Sequence, residues 1–288
     1  MFAQLLDTTK KARSLIKGKK PSIGIGLADS SIAKAMSSEL AQKLGDLGFT
    51  VALYHDQSIA PQPTGQEGLL WHPSRDPVQE LISDFKDGKL QAIIRGQISS
   101  STFLAELKRQ FSLDRTYRLA LLATSAGKEF FFAPVGIDEG SDPQDKQTLI
   151  ELAAGLLERL AITPSFFLLS AGRLDDMYRG EQIARSIKET LDVVERCKAR
   201  HPSMSIQHGE ILIENAFDKG ANTILAPDGI SGNLIYRTLL HLGGGHSHGA
   251  YYLGSQFTGP VMDTSRVGSI EEYVGAVVLA LRLIVSRG

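Results

Sequence analysis

Apolar positions along the chain switch repeatedly between helical spacing and short unbroken runs. Leu5, Leu6, Ala12, Leu15 and Ile16 predict a helix over residues 1–17 that ends at Gly18. Pro21 opens a strand, Ser22 to Leu27. Asp29, Ser30 and Ser31 then cap a helix running to about Leu47, where Gly48 stops it, and Phe49 to Tyr54 is the next buried strand. This β-α-β rhythm predicts a parallel sheet. Residues 57–77, rich in Pro, Gly and His, read as a long loop holding at most a short edge ribbon. A helix follows at Val78–Lys86, a strand at Leu90–Arg95 and an amphipathic helix at Phe103–Phe111. Thr116–Ala123 and Glu129–Val135 flank Thr124 to Lys128 as a β-hairpin.

After a polar break at 138–144 the pattern resumes. It predicts helices at Asp145–Leu160 and Gly180–Lys198, and strands at Ser165–Ser170, His208–Ile213 and Asn222–Ala226. A helix over 233–242 and a strand at Tyr251–Gly254 come next, with Gly243-Gly244-Gly245 between them reading as a mobile loop. Ser269 and Glu272 form a capping-box pattern that starts the last helix, Tyr273–Ser286.

Two strand-to-helix turns carry candidate chemistry. At Ala226 to Asn233 the strand, the polar turn and the helix direct backbone N–H groups at a point suited to an anion. An ordinary turn capped by Ser231 or Asn233 fits the same residues. Ser99, Ser100, Ser101 and Thr102 form a hydroxyl-rich turn that fits either a phosphate site or a redundant helix cap. Gly24-x-Gly26 lacks the third glycine of a dinucleotide loop, with Asp29 standing in its place. His246 and His248, with His241 upstream, have neither a cysteine nor a carboxylate close in sequence to complete a ligand set, so no metal site is assigned. Asp175-Asp176 fits either a cation site or, more commonly for such a pair, a solvated helix start.

Composition narrows the partners. The 288 residues carry 31 basic and 32 acidic side chains, a net charge of −1, which argues against nucleic acid as the principal partner. The basic cluster from Lys10 to Lys20 reads as a solvated helix face. The single cysteine, Cys197, excludes an internal disulfide and fits a reducing cytoplasm. The N-terminal stretch lacks a secretory apolar core, and the most apolar run, Val274 to Val285, is too short to span a bilayer. The expectation is a soluble cytoplasmic protein without a membrane partner.

The C-terminal third bears a family resemblance. Asn233, Tyr236, Leu242-Gly243-Gly244, Gly249, Gly254, Pro260, Asp263, Ser265 and Arg266 resemble the motif of the phosphate acetyltransferase and butyryltransferase family. Leu122 to Asp138 and Ser165 to Arg173 resemble strands of that family, so the likeness covers most of the chain. A narrower resemblance is to its methanogen-specific MtxX branch, a methanogenesis marker described as methyltransferase-related. The resemblance implies an α/β, two-domain isocitrate/isopropylmalate dehydrogenase-like (phosphotransacetylase-like) fold with the second domain inserted in the first. Residues 1–140 plus 262–288 would form domain one and residues 141–261 domain two, with a ligand in an interdomain cleft. It also implies a homodimer, joined by apolar faces near residues 175–240.

By the same resemblance, Ser265 and Arg266 bind phosphate and stabilise a reacting thioester, and Glu272 is a base toward a CoA thiol. Asn233, Tyr236, Asp263 and the turn residues Ser100, Ser101 and Thr102 would complete a site for a phosphate- or CoA-type ligand. Two departures stand out. Glu106 occupies a helix position where the family carries arginine, with Lys108 and Arg109 nearby, and Val267 replaces the glycine after the Ser-Arg pair. Two readings follow. The retained Asp263-x-Ser265-Arg266 set favours a transferase of methanogens, acyltransferase-like or described as a methyltransferase. Glu106 and Val267 favour a non-catalytic binding or accessory protein of methanogenesis that has lost acyltransferase activity.

Overall fold

A computed structural model describes residues 1–12, 20–44, 48–60 and 68–286. The expected last turn of the first helix, the end of the second near Leu47 and most of the loop before residue 68 lie outside the described residues. By contact density the chain forms two units. Unit 1 is Met1–Thr116 with Ser247–Gly288, and unit 2 is the continuous segment Tyr117–His246.

Unit 1 is built on α1 (Phe2–Ala12), β1 (Ser22–Leu27), α2 (Ser31–Leu44), β2 (Thr50–Asp56), β3 (Leu69–Ser74), α3 (Pro77–Lys86), β4 (Ala92–Ile94) and α4 (Ser100–Phe111). In unit 2 the chain runs through β5 (Tyr117–Ala123), β6 (Glu129–Ala133), α5 (Pro143–Arg159), β7 (Ser165–Leu169), α6 (Glu181–Arg200), β8 (Ser205–Glu210), β9 (Thr223–Leu225) and α7 (Gly229–His241). Then β10 (His246–Leu253), β11 (Val261–Asp263) and α8 (Ile270–Val285) return to unit 1.

The strand order in unit 1 is β3-β2-β1-β4-β11-β10. β1 runs parallel to β2 and β4, β11 runs parallel to β4, and β10 is antiparallel to β11. β1 is buried along nearly its whole length, which is why it reads as continuous apolar sequence rather than alternation. α3 starts where Asp76 accepts from the Gln79 N–H and Pro77 fills the first turn. Its Leu81, Ile82 and Phe85 meet Phe103 and Leu107 of α4 in one apolar cluster, each fully buried side chain contributing about 1.5–3 kcal/mol. α8 is buried on almost every side from Tyr273 to Leu281 and packs against α1 and α2.

In unit 2 the order is β5-β6-β9-β7-β8, with an antiparallel β5–β6 hairpin and parallel pairing from β6 through to β8. α5 and α6 pack against each other. The two units therefore divide at 116/117 and 246/247, whereas the sequence placed the divisions at 140/141 and 261/262. Strand pairing explains the difference. The hairpin joins unit 2 because Phe131 of β6 lies opposite Thr223 of β9, and β10 belongs to unit 1 because Tyr251 lies opposite Met262 of β11.

The edge ribbon admitted in the 57–77 segment is β3, a parallel edge strand that tolerates Pro73 because one side of it makes no ladder bonds. Three local expectations are corrected. β8 begins at Ser205, three residues before the alternating stretch, since its pairing with β7 rather than its polarity decides it. β10 starts at His246, directly after the glycine run, rather than at Tyr251. α7 begins at Gly229, capped by Asp228.

Candidate functional site

The C-terminal ends of β4 and β11 lie side by side in unit 1, with Ile94 opposite Met262. The next residue on each strand is charged: Arg95 on one and Asp263 on the other. Arg95 Nε donates to the Asp263 carboxylate, Nη1 donates to the Ile98 carbonyl at 2.6 Å, and Nη2 donates to the Thr264 carbonyl. Both side chains are buried. A planar guanidinium that serves three acceptors at once fixes the turn after β11 against the loop that leads into α4. The backbones come close here. Gly96 has φ +62°, and a Cβ on it would sit 2.0 Å from the Gly26 carbonyl oxygen, so only glycine fits.

Glu272 lies in the first turn of α8. The capping-box pattern is only half realised: the Ser269 hydroxyl accepts from the Glu272 N–H at 3.3 Å. The Glu272 carboxylate turns away to accept the Ser265 N–H at 2.9 Å, and the Ser247 hydroxyl also bonds it. Capping by the backbone and chemistry by the side chain are therefore compatible roles for one residue. Glu272 is 3% exposed, and Gly268 closes over it so tightly that a Cβ there would lie 2.3 Å from Oε2. Burial raises its pKa from 4.5 to about 7, with the Asp263 charge adding to the rise. The Ser265 N–H, the Ser247 hydroxyl and Arg95 pull the other way. A carboxyl so placed exchanges protons near neutral pH.

The remaining candidates in unit 1 surround this pair. The Tyr273 hydroxyl donates to the Ser265 carbonyl at 3.0 Å and the Arg266 carbonyl at 3.2 Å, and burial pushes it up to about 12, so it stays a donor. Arg266 holds its guanidinium at the exposed rim of the turn, beside Val267. Ser100, Ser101 and Thr102 are exposed on the first turn of α4, after an N-cap residue, Ser99, that makes no side-chain cap bond. Arg95 ties the loop just before them through Ile98. Ser265 and Glu272 thus come together through a direct bond, with the Asp263 charge acting on Glu272, and Arg95 links Asp263 to the loop before the serine turn.

Asn233 and Tyr236 belong to unit 2, on α7. The Asn233 amide donates to the Val135 carbonyl at 2.8 Å, fastening α7 to the end of β6. Asp228 accepts the Ser231 N–H at 2.8 Å and also its hydroxyl. The helix cap is therefore Asp228 rather than Ser231 or Asn233, and its carboxylate already holds the Ser231 N–H. The charge of Glu106 is answered inside its own helix: Arg109 Nε and the Gln110 amide each donate to it at 2.8 Å. His248 is buried, its ring stacked on Phe2 at 3.9 Å. Arg95, Ser247 and Tyr273 were not foreseen. A charged residue ending a buried strand was a signal for Arg95, whereas Ser247 and Tyr273 carried none.

A Methanosarcina mazei protein named "Putative methyltransferase mtx subunit X" is 36% identical over 98% of this chain and 96% of its own length. The protein of that name from Methanosarcina acetivorans is 40% identical over 73% of this chain and 72% of its own. The chain belongs to the mtx subunit X family. No family model matches it. Among solved structures, a branched-chain phosphotransacylase from Enterococcus faecalis superposes with a TM-score of 0.67 at 18% identity, over 92% of this chain and 99% of that one. A phosphotransacetylase from Streptococcus pyogenes gives 0.65 at 17%, over 97% and 98%. The mtx subunit X chain thus has a phosphotransacetylase-like fold. Among the described residues no helix is long and apolar enough to cross a membrane.

Proposed function

We propose that this member of the mtx subunit X family is a transferase that binds a phosphate- or CoA-type anion at the Ser265–Glu272 turn and uses Glu272 to carry a proton. The observation that carries the reading is the Glu272 carboxyl, buried beside Asp263, fixed by the Ser265 N–H and titrating at about 7. The neighbours named as phosphotransacylase and phosphotransacetylase support an acyl group, and the relatives named as methyltransferases support a methyl group. Either transfer to a thiol makes the same demand. The thiol proton passes to Glu272, the thiolate attacks the acyl or methyl carbon, and the leaving group departs with the bonding pair. Arg266, at the exposed rim, is the group that holds the anionic part of the ligand through its two-pronged guanidinium.

The test is calorimetric titration of CoA and of inorganic phosphate, combined with an assay of thiol release from acetyl-CoA in the presence of phosphate. Binding that is weakened in Arg266→Ala, with thiol release lost in Glu272→Gln while binding stays, supports the proposal. Equal affinity in Arg266→Ala contradicts it. One observation favours binding without turnover: Arg109, the cation nearest the position where the acyltransferase family carries arginine, is engaged by Glu106. Tight CoA binding with no thiol release would favour that reading.

A homodimer accompanies the proposal. Along α7 only Gly229 and Gly232 are buried, while Ile230 is 64%, Leu234 61% and the following Leu242 86% exposed. One self-complementary apolar helix face suits an isologous contact. Leu234→Glu is then expected to convert a dimer to monomer in light scattering, and a wild-type monomer at micromolar concentration would contradict the assembly. Cys197, buried and with its thiol pushed up to about 11 by burial, fits a reducing cytoplasm.

A further inference from the structure

His72 on β3 and Glu80 and Asp84 on α3 meet in unit 1, away from the Glu272 turn. One ligand atom from each, the His72 nitrogen and a carboxylate oxygen from Glu80 and Asp84, lies within 4.8 Å of the others. Glu80 and Asp84 are four apart, so they share one face of α3 and repel each other unless a cation sits between them. In this structure that charge is answered piecemeal. His72 Nε2 meets Glu80 Oε1 at 2.9 Å, and the 65%-exposed Lys89 ammonium reaches Asp84 Oδ1 at 2.6 Å.

Tyr54 makes the cluster more than a solvated charge patch. It is 2% exposed, its ring stacks on His72 with centroids 4.2 Å apart, and its hydroxyl donates to Asp84 Oδ2 at 2.7 Å. One buried phenol therefore contacts two of the three prospective ligands, and the other Asp84 oxygen, Oδ1, is held by the exposed Lys89 ammonium. Outer groups of this kind hold metal ligands in place in known sites. Glu80 also lines a cavity of about 530 Å³, together with Ser74, Gln79 and Ser83.

The geometry points to a divalent-metal site of the zinc class, with His72, Glu80 and Asp84 as ligands and Tyr54 as the residue that positions them. A nitrogen and two carboxylate oxygens suit Zn²⁺, whose tetrahedral bonds of about 2.1 Å put ligand atoms roughly 3.4 Å apart, so a small closure of the cluster completes it. Entry of the ion displaces the Lys89 ammonium to water, which its exposure makes easy, and replaces the His72–Glu80 bond.

Titration of the full chain with Zn²⁺ by calorimetry, alongside the d–d absorption of Co²⁺ as a geometric probe, tests the site. Expected is one ion per chain, with binding weakened at least tenfold in His72→Ala and about tenfold in Tyr54→Phe, which keeps the stacked ring and removes the anchor. Lys89→Ala is expected to tighten binding, because it removes the competing cation. That result would not follow if Lys89–Asp84 were only a surface ion pair. His201→Ala, a histidine elsewhere, should bind as wild type. Wild type that shows no binding below about 100 μM, or unchanged affinity in a folded His72→Ala or in Lys89→Ala, overturns the proposal.

Discussion

Each unit buries a carboxylate near an arginine that ends or lines a strand, and the two pairs are used differently. In unit 2, Arg118 Nε donates to Glu139 at 2.6 Å, and the Gly136 and Arg118 N–H groups close on the other oxygen at 3.1 and 3.3 Å. Burial pushes the Glu139 carboxyl up and the guanidinium against it pulls it down, so charge is answered by charge. In unit 1, Arg95 answers Asp263 and spends its remaining N–H groups on two carbonyls. Glu272 is left to lean on neutral donors, Ser265 and Ser247. The first arrangement fixes structure. The second keeps one carboxyl poised to gain or lose a proton, and that is where chemistry is expected.

The comparison can be broken most forcefully at Arg118. Arg118→Ala strands Glu139 in an apolar setting, and unfolding by denaturant should show a loss of about 3–5 kcal/mol. A loss near zero would mean that the pair is not structural. Glu272→Gln should act in the opposite direction. A carboxyl that titrates at 4.5 unfolded and at about 7 folded holds its proton more tightly in the native state. Its cost is absent below pH 4.5, grows as the pH rises, and is complete above about 7. Glu272→Gln should therefore gain up to about 3 kcal/mol at alkaline pH and little near pH 4, as thermal melts across pH would show.

Arg266→Ala sharpens the contrast, because an exposed guanidinium should matter to ligand and not to fold. Anion binding is expected to weaken by about 1.5–3 kcal/mol, roughly ten- to a hundredfold, with the melting temperature unmoved and Arg266→Lys rescuing only in part. Ser269→Ala should have the smallest effect, about 1 kcal/mol of stability through the lost cap, with the Glu272 titration preserved.

How much of this was legible in the sequence follows from the range of each interaction. β1 and α8 could be read because the apolar run and Ser269 act within a turn of where they stand, whereas the Asp76-Pro77 start of α3 was left in the preceding loop. The extent of β3 was left open and the start of β10 was misread, because a neighbouring strand and not local composition makes Pro73 and His246 extended. At the site, Ser265 and Glu272 were named from the motif, yet their direct bond through the Ser265 N–H was not foreseen. Arg95 was passed over, since its partner Asp263 stands 168 residues away and sequence spacing says nothing about it. The Glu272 capping pattern and its expected role as a base are compatible, because the backbone N–H and the carboxylate make different bonds.

The central claim is that Glu272 is a proton carrier tuned by burial. Its most direct test is the carboxyl ¹³C chemical shift of glutamate-labelled protein followed across pH, with the Glu272 signal assigned by its absence in Glu272→Gln. A titration midpoint near 7 is predicted, and a midpoint at the ordinary value of 4.5 would contradict the account.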